Sequence, residues 1–186
     1  MKIYTRTGDD GSTGLFGGDR VKKNHPRIWA CGAVDEANAA LSLAIMLHKG
    51  SEGDMELVPV LKRLQSELFA LGSDLATPLD SRAKVPRTTS SQVANLEGLI
   101  DAFSAPLPPL RNFILPGGTP AACQLHIARA VCRRAERVVV AAQADVALTP
   151  AAVVFLNRLS DLLFVLARWV NYRSGINDEL WKPTVD

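Results

Sequence analysis

The segment from Ala151 to Tyr172 is apolar nearly all round, and it restricts the fold more than any other part of the chain. A helix with no wet face must be enclosed by others, so the segment predicts the central helix of a bundle. Thr149-Pro150 just ahead of it reads as an N-cap followed by proline in the first turn. Four further segments repeat the three-or-four step of an amphipathic helix. Ile28, Cys31, Val34, Asn38, Leu41, Ile45 and His48 mark a helix over roughly 26 to 48, opened by Pro26. Leu57, Val60, Leu61, Leu64, Leu68, Leu71 and Leu75 mark a second, ending near Ala76, in which Pro59 is tolerated because it lies in the first turn. Val93, Leu96, Leu99, Ile100 and Phe103 mark a shorter third behind the Thr/Ser run at 88 to 91, and three prolines between 106 and 109 end it. Thr119-Pro120 starts a fourth, from about 120 to 144.

Strict apolar-polar alternation and long internal repeats are both missing. The prediction is therefore all-α: a five-helix bundle over 26–176 in a single domain of 186 residues, with a polar loop at 1–25 and a tail at 177–186 where Trp181 is a docking anchor. Residues 77 to 88, with Pro78, Pro86 and three basic side chains, read as a polar connection. The N-terminus has no apolar signal core and no uninterrupted apolar run reaches the ~18 residues of a membrane span, so the expected compartment is the cytoplasm and no membrane partner is expected. Cys31, Cys123 and Cys132 form no CxxC, and His25, His48 and His126 lack zinc-ligand spacing, which implies reduced thiols and no metal held by the protein alone. A net charge of +2 and basic residues without interleaved aromatics argue against nucleic acid.

The functional signal lies in local clusters. From Tyr4 to Arg20 the chain places five glycines among hydroxyls and cations, with Lys22 and Lys23 close behind. Glycine lets a backbone approach a ligand, so such a segment can turn several N–H groups toward one anion. Asp-Asp-Gly and Gly-Gly also make ordinary turns, and neither a P-loop ending nor Rossmann spacing is present. Any polyphosphate site is of another kind and needs help from elsewhere in the chain. On the fourth helix Arg129, Arg133 and Arg137 fall at i, i+4 and i+8, with Arg134 beside them and Glu136 near Arg133. A solvated face is the plain reading of that row. Asn157, Asp161 and Arg168 on the apolar fifth helix, and Asp35 and Glu36 on the first, call for partners across the bundle or across a subunit interface. Ion pairing alone would not require the loop with Arg6 and Lys23; cations in excess of local anions suggest a bound polyanion.

In order along the chain, TRTGDDGSTGLFGG, KNHPR, AVDEAN, FILPGGT, HIARAVCRRAER and FLNRLSD resemble the PduO-type ATP:cob(I)alamin adenosyltransferases over nearly the whole length. The resemblance implies a homotrimer of five-helix bundles with active sites between neighbouring subunits. It implies that Thr5, Arg6, Thr7, Gly8, Thr13 and Gly14 wrap ATP, that Lys23 reaches the triphosphate, and that Arg133, Arg134, Glu136, Arg137 and Asn157 complete the nucleotide site. Arg133, Phe113 and Asn157 are the catalytic residues it points to. Phe113 matches the aromatic residue that faces the corrin and displaces the lower axial ligand, and Asp35 matches an aspartate that pairs across the interface with an arginine, here Arg129. The implied reaction moves the 5′-deoxyadenosyl group of ATP onto the cobalt of cob(I)alamin, giving adenosylcobalamin and triphosphate. Mg²⁺ accompanies the triphosphate, a reductase supplies the electron, and an adenosylcobalamin-dependent client enzyme receives the product. Two departures from the family stand out: Cys31 where a tyrosine is frequent, and a short C-terminus in which Trp181 is the candidate for closing the corrin pocket. The alternative is a non-catalytic ATP/corrinoid-binding carrier, which predicts binding without turnover.

Overall fold

Capping chemistry starts most of the helices where the spacing predicts. In the computed structural model, which describes residues 2–183, the helices are α1 (Pro26–His48), α2 (Asp54–Ala76), α3 (Ser90–Ser104), α4 (Pro120–Ala142) and α5 (Ala151–Arg173). His25 caps α1 by accepting from Arg27 N at 3.2 Å, Thr119 caps α4 by accepting from Ala122 N at 3.1 Å, and Thr89 with Gln92 forms a capping box on α3. α4 stops two residues short of the expected 144, because Ala144 N turns back to Ala141 O and tightens the end.

The start of α5 corrects the sequence reading. Its N-cap is Pro150, with no side-chain cap, while Thr149 Oγ1 donates to Asp74 Oδ1 at 2.7 Å. Asp74 is only 2% exposed, and a buried carboxylate must collect donors, a demand that outweighs the modest gain from a cap.

Around the bundle the packing order is α2, α1, α4, α5, α3, so α5 shares the centre with α1 and α4. Leu41, Leu61, Leu68, Leu125, Phe155 and Leu159 are among the fully enclosed side chains, each contributing on the order of 1.5–3 kcal/mol by leaving water. Gly53 precedes α2 at φ 83°, and a Cβ there would lie 2.4 Å from the Trp169 ring, so only glycine fits. Among the described residues α1 is the one helix long and apolar enough to cross a membrane, but Asp35 and Glu36 stand at its middle and its apolar face packs on α2 and α4.

Two small β features escape the periodicity. Residues β1 (Ser12–Gly14) and β2 (Arg20–Lys22) pair antiparallel, Thr13 opposite Val21. The tail bridges Leu180 to Ile114 in the loop before α4.

Candidate active site

The glycine-rich segment is a hairpin whose bonds are mostly its own. Asp10 accepts from Ser12 N at 2.9 Å and from Ser12 Oγ at 2.7 Å, and these bonds hold its carboxyl below the ordinary carboxylate range. Arg20 donates to Thr7 O and to Ser12 Oγ, and the Thr5 and Thr7 hydroxyls share a bond of 2.8 Å. Arg6 sits at φ 63°, a conformation that costs a non-glycine residue about 1–3 kcal/mol, with its guanidinium 5.4 Å from the Tyr4 ring centre. A Cβ on Gly8 would be 3.4 Å from Lys23 Nζ, so the missing side chain leaves room for that ammonium beside the loop. Thr13 lies in β1, and Gly14 follows it open to solvent. Lys23 and Arg134 line one open cleft of about 300 Å³ over α1 and α4, where Arg134 pairs with Glu36.

The other expected nucleotide residues lie between α4 and α5. Asn157 Nδ2 donates to Glu136 Oε1 at 3.0 Å, and Asn157 Oδ1 accepts from Arg158 at 2.7 Å. Arg158 is itself held by Glu97 of α3 at 2.8 Å. Asn157 is thus oriented from both ends, by Glu136 as the sequence suggested and by Arg158, which with its anchor Glu97 sequence reasoning did not single out. Arg133 and Arg137 are exposed and have no ion-pair partner among the described residues.

One turn before Arg133 the same helix face enters a second, larger cleft of about 870 Å³, lined by Arg111, Phe113, Arg129, Phe164 and Trp181 among others. Phe113 is 80% exposed there, its ring 6.3 Å from that of Trp181 at 75°. Backbone bonds tie the tail to this loop: Trp181 N to Phe113 O and Leu115 N to Glu179 O, both 2.8 Å. Asn171 of α5 fastens the loop's end, donating to Gly117 O at 2.9 Å and accepting from Thr119 N at 3.0 Å. Gly118, at φ 104°, lies so close that a Cβ would be 2.1 Å from Asn171 Oδ1. Phe164 carried a legible signal, since it falls seven residues after Asn157 and so shares its helix face.

The expected ion network takes another form. Arg168 pairs with Asp178 of the tail at 2.8 Å and also donates to Pro108 O, whereas Asp161 is exposed and needs only water. Asp35 and Arg129 do not meet within the chain. Asp35 is exposed in an apolar cleft of about 390 Å³ between α1 and α2, beside Cys31 and Phe69, while Arg129 is half-buried in the larger cleft with its Nε unpartnered. Burial, and then the charge of Asp35, raise the Cys31 thiol above its ordinary range, which disfavours the thiolate. No hydrogen bond or ion pair among the described residues joins the hairpin to Arg133, Glu136, Arg137 or Asn157. The residues expected in one nucleotide site therefore fall into two groups unbonded to each other within the described chain, two candidate half-sites.

Among the described residues no three His, Cys, Asp or Glu side chains gather to hold a metal ion. The donor set does not fit a protein cage for Mg²⁺, an ion that keeps its waters and rides on phosphates.

The model of the cobalamin adenosyltransferase family matches residues 3–170. The whole chain is 46% identical to a corrinoid adenosyltransferase of Mycobacterium tuberculosis, of which it covers 95%. Over 96% of its length it is 46% identical to a corrinoid adenosyltransferase of Bacillus subtilis, covering 91% of that protein. A variant PduO-type ATP:corrinoid adenosyltransferase from Lactobacillus reuteri, complexed with cobalamin and ATP, superposes with a TM-score of 0.91 at 37% identity and 97% coverage of both chains. Fold, half-sites and relatives define an enzyme of the transferase class, a corrinoid adenosyltransferase. The chain belongs to the cobalamin adenosyltransferase family.

Proposed function

We propose that the chain transfers the 5′-deoxyadenosyl group of ATP to the cobalt of cob(I)alamin and releases triphosphate. The observation that carries this reading is the continuity of one helix face. Arg129 lines the aromatic cleft, and Arg133 and Arg137 continue the same face beside the Glu136–Asn157 pair. An aromatic-lined hollow of about 870 Å³ and a row of cations without ion-pair partners among the described residues thus lie end to end.

The chemistry asks little of the protein's own nucleophiles. Co(I) attacks C5′ with its electron pair, the C5′–O bond breaks, and that pair leaves on the triphosphate; no proton has to be removed. The protein's work is to align cobalt with C5′ and to stabilise charge growing on the leaving group. In this reading Arg133, Arg137, Arg134 and Lys23 meet the triphosphate together with N–H groups of the Thr5–Gly8 and Thr13–Gly14 segments. Glu136 and Asn157, oriented by Arg158, fix the nucleoside. Phe113, exposed and backed by Trp181, takes the corrin face from which the lower ligand has left. Mg²⁺, bound by the triphosphate, would supply further charge neutralisation, and none of these tasks is assigned to it.

A homotrimer completes the reading. The two half-sites of one chain, and the unpaired Asp35 and Arg129, are supplied with partners if a neighbouring copy sets its hairpin against the α4–α5 face. Delivery of adenosylcobalamin to a client enzyme in the cytoplasm, and an electron from a separate reductase, belong to the same proposal.

Anaerobic incubation with ATP, Mg²⁺ and chemically reduced cobalamin tests the reaction through the cobalt absorbance bands. A photolabile adenosylated corrin with intact triphosphate is the expected product. Binding of ATP or corrin without turnover would replace the transferase with a carrier.

A further inference from the structure

The hairpin touches the bundle at its turn, and that contact leads to a buried cluster with no place in the chemistry above. Phe16 N donates to Ala76 O at 3.2 Å, and Ser81 Oγ donates to Gly17 O at 2.8 Å. Gly17 is at φ 64°, and a Cβ on it would stand 2.2 Å from Ala83 Cβ, so the turn lies flush on residues 81–83. Those residues belong to the connection between α2 and α3, which Arg87 closes like a clasp. Arg87 Nη1 donates to Asp74 Oδ1, Asp74 O and Thr77 O, and Nη2 donates to Pro78 O, at 2.8–3.1 Å. The other end of the clasp is Asp74, which accepts from Thr88 N at 2.8 Å and from Thr149. Arg27, which opens α1 just past the hairpin, donates to Leu75 O at 3.0 Å and to Ala147 O at 2.5 Å beside the same cluster. A buried carboxylate paired with a half-buried arginine would be a poor choice if the connection only needed joining, because the carboxylate's charge is costly to enclose. What the pair achieves is a fixed floor under the hairpin turn.

We propose that Asp74 and Arg87 are positioning residues for the nucleotide: they hold the 77–88 connection so that Ser81 and Ala83 fix the Gly17 turn, and thereby fix the Thr5–Gly14 segment that meets ATP. The proposal rests on the ATP role assigned to that segment. It predicts that the cluster governs ATP affinity and leaves the corrin cleft alone, since the Phe113 loop and Trp181 are fastened through α5 and the tail and Arg129 stands on α4.

The test uses the full chain with Arg87→Lys, Ser81→Ala and Gly17→Ala, and reads ATP dissociation by calorimetry beside kcat and the KM values for ATP and cob(I)alamin. Arg87→Lys and Gly17→Ala should weaken ATP by about tenfold and Ser81→Ala by about threefold, with kcat at saturating ATP and the corrin KM within about twofold of the parent. Ala83→Gly should recover part of the Gly17→Ala loss, because it removes the atom that the new Cβ meets. Unchanged ATP affinity in folded variants overturns the proposal, as does an equal loss for corrin. If the parent binds ATP but never turns over, the transferase reading fails while the calorimetric comparison still decides this one.

Discussion

The glycine-rich hairpin and the Phe113 loop are held in opposite ways. The loop is sewn to the core helix: Asn171 fastens Gly117 and Thr119, Arg168 fastens Pro108, and the tail adds two backbone bonds. The hairpin is bonded mainly to itself and reaches the bundle at its turn. The aromatic cleft is therefore fastened within the chain itself, whereas in the proposed assembly the cation-lined half-site is completed by a neighbouring copy. Under the proposed function, the difference gives the two substrates two kinds of preorganisation, one intrinsic to the fold and one dependent on assembly.

The sharpest way to break that comparison is Arg133→Ala. If the unpaired arginine stabilises the leaving triphosphate, kcat/KM for ATP should fall by about a hundredfold or more, with helix content and oligomer size intact by circular dichroism and gel filtration. A comparable loss from Lys23→Ala, which lies on the other half-site, would tie both faces to one nucleotide. A loss confined to oligomer size would make the arginine row an assembly device.

If Phe113 displaces the lower axial ligand as proposed, Phe113→Ala should cut kcat by about tenfold to a hundredfold and leave added cob(II)alamin with its free-solution absorbance, with ATP affinity preserved. An ATP defect of the same size would mean that the two regions are not independent.

Asn171→Ala sharpens the comparison through stability. It leaves Gly117 O and Thr119 N without partners behind the loop, which costs about 2–3 kcal/mol and should appear as a lower Tm and a raised corrin KM. No hairpin substitution that only removes a polar group should cost as much, because the hairpin's polar groups have water as an alternative.

Much of this was legible in the chain. Helix spacing, proline and threonine starts and the apolar α5 gave the bundle within a residue or two, because burial periodicity dominates such segments. The short β1 and β2 strands were not legible, since three residues cannot display alternation. Thr149 misled because its true partner, Asp74, lies 75 residues away in sequence and only packing reveals it. The arginine row announced a polyanion, yet nothing in its spacing said that Arg134 turns to Glu36 over α1 while Arg129 enters the aromatic cleft. Side-chain type was readable and the division into half-sites was not, because that division depends on how α1 and α5 flank α4.

The smallest expected effect separates the two regions by pH. His126 lies buried behind the Phe113 loop, its ring 6.1 Å from Phe164 and its Nδ1 unpartnered. Burial first, and then the nearby Arg129, push its pKa below the ordinary 6.5, against the opposing pull of Asp178. The unfolded chain therefore takes up this proton before the folded one does. Stability that depends on a neutral His126 is fully present above pH 6.5 and is lost as pH falls from there toward the folded pKa. On the hairpin the corresponding group is Asp10, lowered from 3.8 by its bonds to Ser12, so its contribution persists down to that value and is lost only below it. Mild acidification between about pH 7 and pH 5 should therefore loosen the Phe113 side while the hairpin stays as it was. Melting temperatures across that range should decline for the parent and decline less steeply for His126→Gln. Parallel slopes for the two proteins would remove His126 as the cause and leave the two regions indistinguishable by pH.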